Sequence, residues 1–177
     1  MIILEPFESD ADIDRLISWV DSNKLNIIWA SDKFTFPLDY NQLNSYLRTA
    51  DQNGIAIFKV INNENGNSEV VGHAELDLLG TEIKISRLLI SKENRGKGYG
   101  ENMMKALIEY IKRNLAFEDI CLTVFTFNEP AIKLYEKLGF ETIELDKSFM
   151  TFEGDTWDRQ KMKLKKWALA WISIKID

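Results

Sequence analysis

Apolar positions recur along the chain with two periods, and the switches between them outline the elements. Ile2, Ile3, Leu4 and Phe7 open as a strand. Ile13, Leu16, Ile17 and Val20 then fall at helical spacing with Trp19 beside them, so a helix capped by Asp10 or Asp12 is expected to run to about Lys24. A second helix, Asn41 to Thr49, follows Asp39. Gly54 to Ile61 reads as a strand, and Asn62-Asn63-Glu64-Asn65-Gly66-Asn67 as a turn whose residues tolerate positive φ. Val70 to Leu78 pairs back as the other arm of a hairpin. Glu82 to Ile90 is the next strand, ending in the apolar run Leu88-Leu89-Ile90. Beyond a polar bend, Met104, Leu107, Ile108, Ile111 and Leu115 share one buried helix face. Ile120 to Phe125 is a further strand. Pro130 sits in the first turn of a helix over Ala131 to Leu138 that Gly139 ends, and Phe140 to Leu145 and Trp157 to Leu164 close the pattern around a loop with Glu153-Gly154-Asp155.

No repeat, linker or low-complexity tract interrupts this order, so one domain over residues 1–164 is expected. The segment 165–177, with Trp167, Leu169, Trp171 and Ile172, is too apolar for a solvated tail. It either packs back on the domain or covers a partner subunit, which makes a homodimer an expectation.

Composition narrows the class. With 177 residues, 45% hydrophobic and 28% charged, the chain has the length and apolar content for a single well-buried core. No segment is long and apolar enough to span a bilayer, and the first residues lack a basic region followed by a long apolar one. A cytoplasmic location without a membrane partner is the expectation. Cys121 is the only cysteine, which excludes an intrachain disulfide and reads as a small buried apolar group. A net charge of −6 argues against nucleic acid as a partner. It fits a cationic or amine-bearing partner, and equally fits plain solubility.

The candidate chemistry lies in Ile85 to Gly100, I-S-R-L-L-I-S-K-E-N-R-G-K-G-Y-G, where a strand passes through a glycine-rich bend into a helix. The first turn of a helix leaves N–H groups without intrahelical partners, and its dipole adds partial positive charge, so an anion is stabilised there. Gly96, Gly98 and Gly100 let the backbone approach phosphate oxygens, and Arg95 and Lys97 add charge. The stretch has neither a G-x-G-x-x-G fingerprint nor a lysine followed by Ser or Thr. A phosphoryl-transfer enzyme would want paired acidic residues near the loop, and Lys92 and Glu93 supply only one.

Arg95-x-x-Gly98-x-Gly100, after a strand and before a helix, resembles the acetyl-CoA pyrophosphate loop of the GNAT superfamily of N-acetyltransferases. Asn128 to Phe140, N-E-P-A-I-K-L-Y-E-K-L-G-F, resembles the family's N-x-x-A-x-x-x-Y-x-x-x-G-F segment. Together the two motifs cover about Val70 to Leu164. The resemblance implies an α+β fold, an α/β/α sandwich with a mixed, mostly antiparallel sheet of six to seven strands and about four helices. It implies acetyl-CoA as cosubstrate without a metal, held by Leu89, Ile90, Arg95, Gly96, Lys97, Gly98, Tyr99, Gly100, Asn128, Ala131 and Tyr135. The thioester is expected where the Leu88–Ile90 and Cys121–Phe125 strands diverge.

The resemblance further implies that a neutral primary amine attacks the thioester directly, with Tyr135 as general acid for the leaving thiolate. The acceptor is expected to be a small cationic amine or a protein N-terminus. Tyr135 would otherwise be a packing residue beside Ile132 and Leu138, and Asn128 a helix cap. For the base, Glu75 on the hairpin strand is the candidate, with Asp77 and His73 on the same face under period-2 alternation. These acids either draw a proton through water or form a solvent-facing pair. Arg87, in an otherwise apolar strand, requires a charge partner, for which Glu75 is the candidate. Trp29, Phe34, Phe36 and Tyr40 are acceptor-pocket walls or core packing. A non-catalytic acyl-CoA sensor would keep Arg95 to Gly100 and dispense with Tyr135.

Overall fold

The computed structural model describes residues 1–64, 66–166 and 168–171. Its centre is a seven-stranded sheet of β1 (Ile2–Pro6), β2 (Ile55–Glu64), β3 (Asn67–Leu79), β4 (Glu82–Ile90), β5 (Asp119–Phe125), β6 (Phe140–Phe152) and β7 (Asp155–Leu164). The spatial order is β1-β2-β3-β4-β5-β7-β6. Every pairing is antiparallel except β4 with β5, the one crossover that needs a long connection. That connection carries the glycine loop and helix α4 (Tyr99–Asn114).

Alternation along the strands assigns the two faces. Phe58, Val60, Ala74, Leu76, Ile83, Ile85, Ile120, Leu122 and Val124 pack with Met104, Leu107, Ile108 and Ile111 of α4 and with Tyr135 of α5 (Glu129–Lys137). The four α4 residues are each 0% exposed, and burying such a side chain contributes about 1.5–3 kcal/mol relative to leaving it in water. On the opposite face, Ile57 of β2 and Leu89 of β4 pack against α1 (Asp10–Trp19), α2 (Asn23–Ala30) and α3 (Tyr40–Ala50). The expected sandwich is therefore present. Ala168 and Leu169 of the short α6 (Ala168–Trp171) join the α4-side core, so this part of the apolar extension packs back on the domain. Trp167 and Ile172 lie outside the described residues.

Three local expectations change. The single helix expected to reach Lys24 is two, because the Ser22 hydroxyl accepts from Leu25 N–H and starts α2 afresh after α1 stops at Trp19. The cap of α1 is Ser9 rather than Asp10 or Asp12; Asp12 returns the bond to the Ser9 amide, completing a capping box. The strand expected over Phe140 to Leu145 runs on to Phe152, with register shifts between Thr142 and Glu144 and between Asp146 and Met150. It turns into β7 through Glu153 and Gly154, both at positive φ, the two-residue geometry that matches strand twist.

Candidate active site

β4 and β5 pair only over Glu82–Lys84 and Asp119–Cys121, and beyond that the two strands splay apart. A cleft of about 180 Å³ opens there, lined by residues of both strands together with Trp29, Asn128, Tyr135, Phe149 and Arg159. The two strands are parallel, so both C-terminal halves lead into the gap and their unpaired backbone edges face it.

A bulge aims β4 at this gap. Between His73↔Leu89 and Glu75↔Ser86, β4 spends one more residue than β3, and Arg87 takes φ 45°. The extra residue reverses the alternation: Ile83 and Ile85 face α4 before it, whereas Leu88 and Ile90 do so after it and Leu89 turns to the α2 side. Trp29 Nε1–H donates to the Arg87 carbonyl at 2.8 Å and so ties α2 to the bulge.

Behind the bulge lies a buried charge network. Glu75 is 1% exposed; one carboxylate oxygen accepts from His73 Nε2 at 3.0 Å, and the other from Tyr46 Oη and Arg87 Nε. Arg87 also donates to Asp77 at 2.8 Å. The partner expected for Arg87 is thus Glu75. Burial pushes the Glu75 carboxyl up, but the hydrogen bond and charge of His73, the Arg87 guanidinium and the Tyr46 hydroxyl outweigh it and hold the group below the usual carboxylate range.

These contacts correct the expectation for Glu75. It does not line the cleft, and both of its oxygens accept hydrogen bonds inside the network, so it presents no free oxygen to an amine in the gap. Nor is it a solvent-facing acid, since α2 and α3 cover that face. Among the described residues, no Asp, Glu or His lines the cleft; its charged residues are Lys84, Arg87 and Arg159.

The aromatic stretch divides. Trp29 is both core and cleft wall, and Phe34 stacks on it at 5.6 Å inside the core, while Phe36 and Tyr40 are each 38% exposed.

The glycine loop sits at the far end of β4. Gly96 and Gly98 have φ 76° and 80°, and a Cβ at either would meet nothing within 4 Å, so the backbone is open on that side. The first bond of α4 is Asn102 N–H to the Gly98 carbonyl at 3.2 Å, which leaves the amides of Tyr99, Gly100 and Glu101 without intrahelical partners. Asn94, 3% exposed, braces the bend by donating to Glu69 and Ser91 and accepting from Lys97 Nζ at 3.0 Å. Arg95 Nε donates to the Ile90 carbonyl at 3.0 Å, so that carbonyl is already partnered; Leu89 lines the cleft and Ile90 does not. Asn94 was not singled out by the sequence reading, although a polar residue just ahead of a glycine bend is a turn signal.

Tyr135 enters the cleft from α5. It is 9% exposed, its hydroxyl has no hydrogen-bond partner among the described residues, and burial pushes the phenol up to about 12. Asn128 begins α5 without a side-chain capping bond and lines the cleft, while Ala131, partly buried one turn on, packs on the core. Open loop amides, a strand edge facing a cleft and a protonated phenol inside it fit a coenzyme A thioester laid along β4.

Comparison with known proteins agrees. Residues 23–140 match the family described as Acetyltransferase (GNAT) family. The chain belongs to this family. This GNAT chain is 25% identical over 160 residues to the human alpha/beta-tubulin-N-acetyltransferase 9, covering 84% of the chain and 76% of the relative. It is 37% identical over 59 residues to spermine/spermidine N(1)-acetyltransferase of Bacillus subtilis, covering 33% and 39%. In fold it is similar to the spermidine N-acetyltransferase of Vibrio cholerae solved with CoA and spermine, with TM-score 0.79, 20% identity and 96% and 98% of the two chains covered. As a GNAT protein the chain is an acyltransferase with acetyl-CoA as cosubstrate.

Proposed function

We propose that the chain acetylates a primary amine, on a small molecule or a protein N-terminus, by direct attack within the cleft between β4 and β5. The observation that carries this reading is the buried, protonated Tyr135 hydroxyl in the gap of a splayed strand pair whose far end meets an open glycine loop. Acetyl-CoA, when bound, supplies the thioester carbonyl as electrophile. The amides of Gly98 to Gly100, with Arg95 and Lys97, hold the pyrophosphate, and Asn128 and the cleft-side edge of β4 orient the arm that leads to the thioester.

Tyr135 Oη donates its proton to the departing sulfur. Its raised pKa keeps the proton available at neutral pH. With no cleft-lining carboxylate or histidine among the described residues, the ammonium proton leaves to water; the neutral amine then attacks, the C–N bond forming as the C–S bond breaks, and the proton shed by the acylated nitrogen returns through water to the Tyr135 phenolate. Glu75 serves as a positioning residue: it fixes Arg87 and, through it, the bulge that turns β4 into the cleft.

The test is Tyr135→Phe. It is expected to lower kcat by about 10²-fold while coenzyme A binding, read by calorimetry, stays within about twofold. Unchanged kcat would remove Tyr135 from the chemistry.

A further inference from the structure

The chain carries a net charge of −6, yet the charged residues lining its cleft are all cationic. Two of the three are already committed. Arg87 is held by Glu75 and Asp77, and Arg159 pairs with Asp146 at 3.1 Å and lies over the Phe149 ring at 3.5 Å. The third is Lys84, at the apex where β4 leaves β5.

Ile83 and Ile85 face α4, so Lys84 and Ser86 face α2, the side of the sheet away from the glycine loop's helix. Other acids on that face are spoken for. Asp77, cross-strand from Lys84, gives its carboxylate to Arg87; Glu82 pairs with Lys161 at 2.8 Å; Glu75 lies in its own network. Among the described residues Lys84 forms no ion pair. Beside it, Ser86 is 9% exposed and its Oγ is buried without a hydrogen-bond partner, although a buried hydroxyl ordinarily has one. A spare cation and an orphaned hydroxyl on one wall of one cleft specify an anionic ligand group.

We propose that the acceptor is a primary amine that carries a carboxylate close to its nitrogen, and that Lys84 and Ser86 hold this carboxylate at the foot of the cleft. The proposal rests on the acetyl-transfer reading above and names its substrate class. Lys84 precedes Arg87 by three residues on the same cleft wall, and its flexible four-carbon stem can carry the ammonium along that wall towards the bulge, so a carboxylate close to an amine presented there comes within its reach. The uncommitted Lys84 ammonium disfavours a polyamine, whose charges would find no carboxylate on the cleft wall. Two sources offer this chemistry: a free amino acid, and a peptide N-terminus followed by an acidic side chain.

The experiment measures coenzyme A release by the full chain with matched amines: free α-amino acids against their C-terminal amides, peptides with Asp or Glu at the second position against the same peptides with Lys there, and spermidine. Carboxylate-bearing amines are expected to exceed their uncharged or cationic counterparts in kcat/KM by about tenfold or more, the range for a hydrogen bond to a charged group. A preference confined to amino acids assigns a small-molecule acceptor; one confined to peptides assigns a protein N-terminus. Lys84→Met should erase the preference through KM, Lys84→Arg should retain it, and Lys84→Glu should shift it towards spermidine. Turnover that ignores the carboxylate, or a preference unmoved in Lys84→Met and Lys84→Glu, overturns this inference and leaves acetyl transfer standing. Coenzyme A binding with no release from any amine in the panel overturns the acetyl-transfer reading and this one with it.

Discussion

Single residues carry the sharpest expectations. Tyr135 titrates far above neutrality because the fold buries it, so it limits no acidic or neutral part of a pH profile. If water takes the amine proton, kcat/KM rises with pH until the acceptor's own pKa, about 7.7–8.0 for an α-amine, and then levels. Measured profiles should move with the acceptor's pKa when the acceptor is changed. A fixed limb in the carboxylate or histidine range would demand a base that the cleft wall does not show. Gly98 gives a second test at this scale. Its φ of 80° costs an alanine about 1–2 kcal/mol, and the added Cβ points into the open side of the loop. Gly98→Ala should therefore weaken coenzyme A binding, read by calorimetry, by more than its modest loss of thermal stability explains. Full affinity in that variant would move the pyrophosphate elsewhere.

At the scale of elements, β4 matters most. Its bulge, the tie from Trp29 and the Glu75–Arg87–Asp77 network form one unit that spans α2, α3, β3 and β4. Arg87→Ala strands a buried carboxylate and should cost about 3–5 kcal/mol, read from the urea midpoint; a surface-like change would mean that the network contributes nothing. Because the Glu75 carboxyl is depressed in the folded state, its contribution is present above the ordinary value of 4.5 and is lost as pH falls through the lower folded value. Acid unfolding should accordingly begin below that ordinary value and be blunted in Glu75→Gln, which is already weakened at neutral pH. Sequence reading found the glycine loop, α4 and α5 because each is a local pattern of apolar spacing and turn residues. It missed the break between α1 and α2, where Ser22 restarts a helix inside a continuing apolar periodicity. It also missed the bulge, which shows only once β3 and β4 are laid side by side.

For the molecule as a whole, ligand binding and folding are linked. Coenzyme A at 100-fold above its dissociation constant should stabilise the fold by about 2.7 kcal/mol, seen as a shift in Tm. No such shift would argue that the open loop holds no coenzyme. The sequence by itself determined most of the elements, the glycine-rich bend and the family, because those depend on side-chain periodicity, glycine placement and contiguous motifs. Only the tertiary structure decided which charges are spent. Along the chain Glu75 reads as a candidate base, as half of a solvent-facing pair with Asp77 or as the partner of Arg87; packing against α2 and α3 settles it as the partner and adds Asp77 to the same guanidinium. Lys84, unremarkable in sequence, is left as the uncommitted cation in the cleft. Electrostatic roles depend on distance and burial, and both are set by residues far apart along the chain.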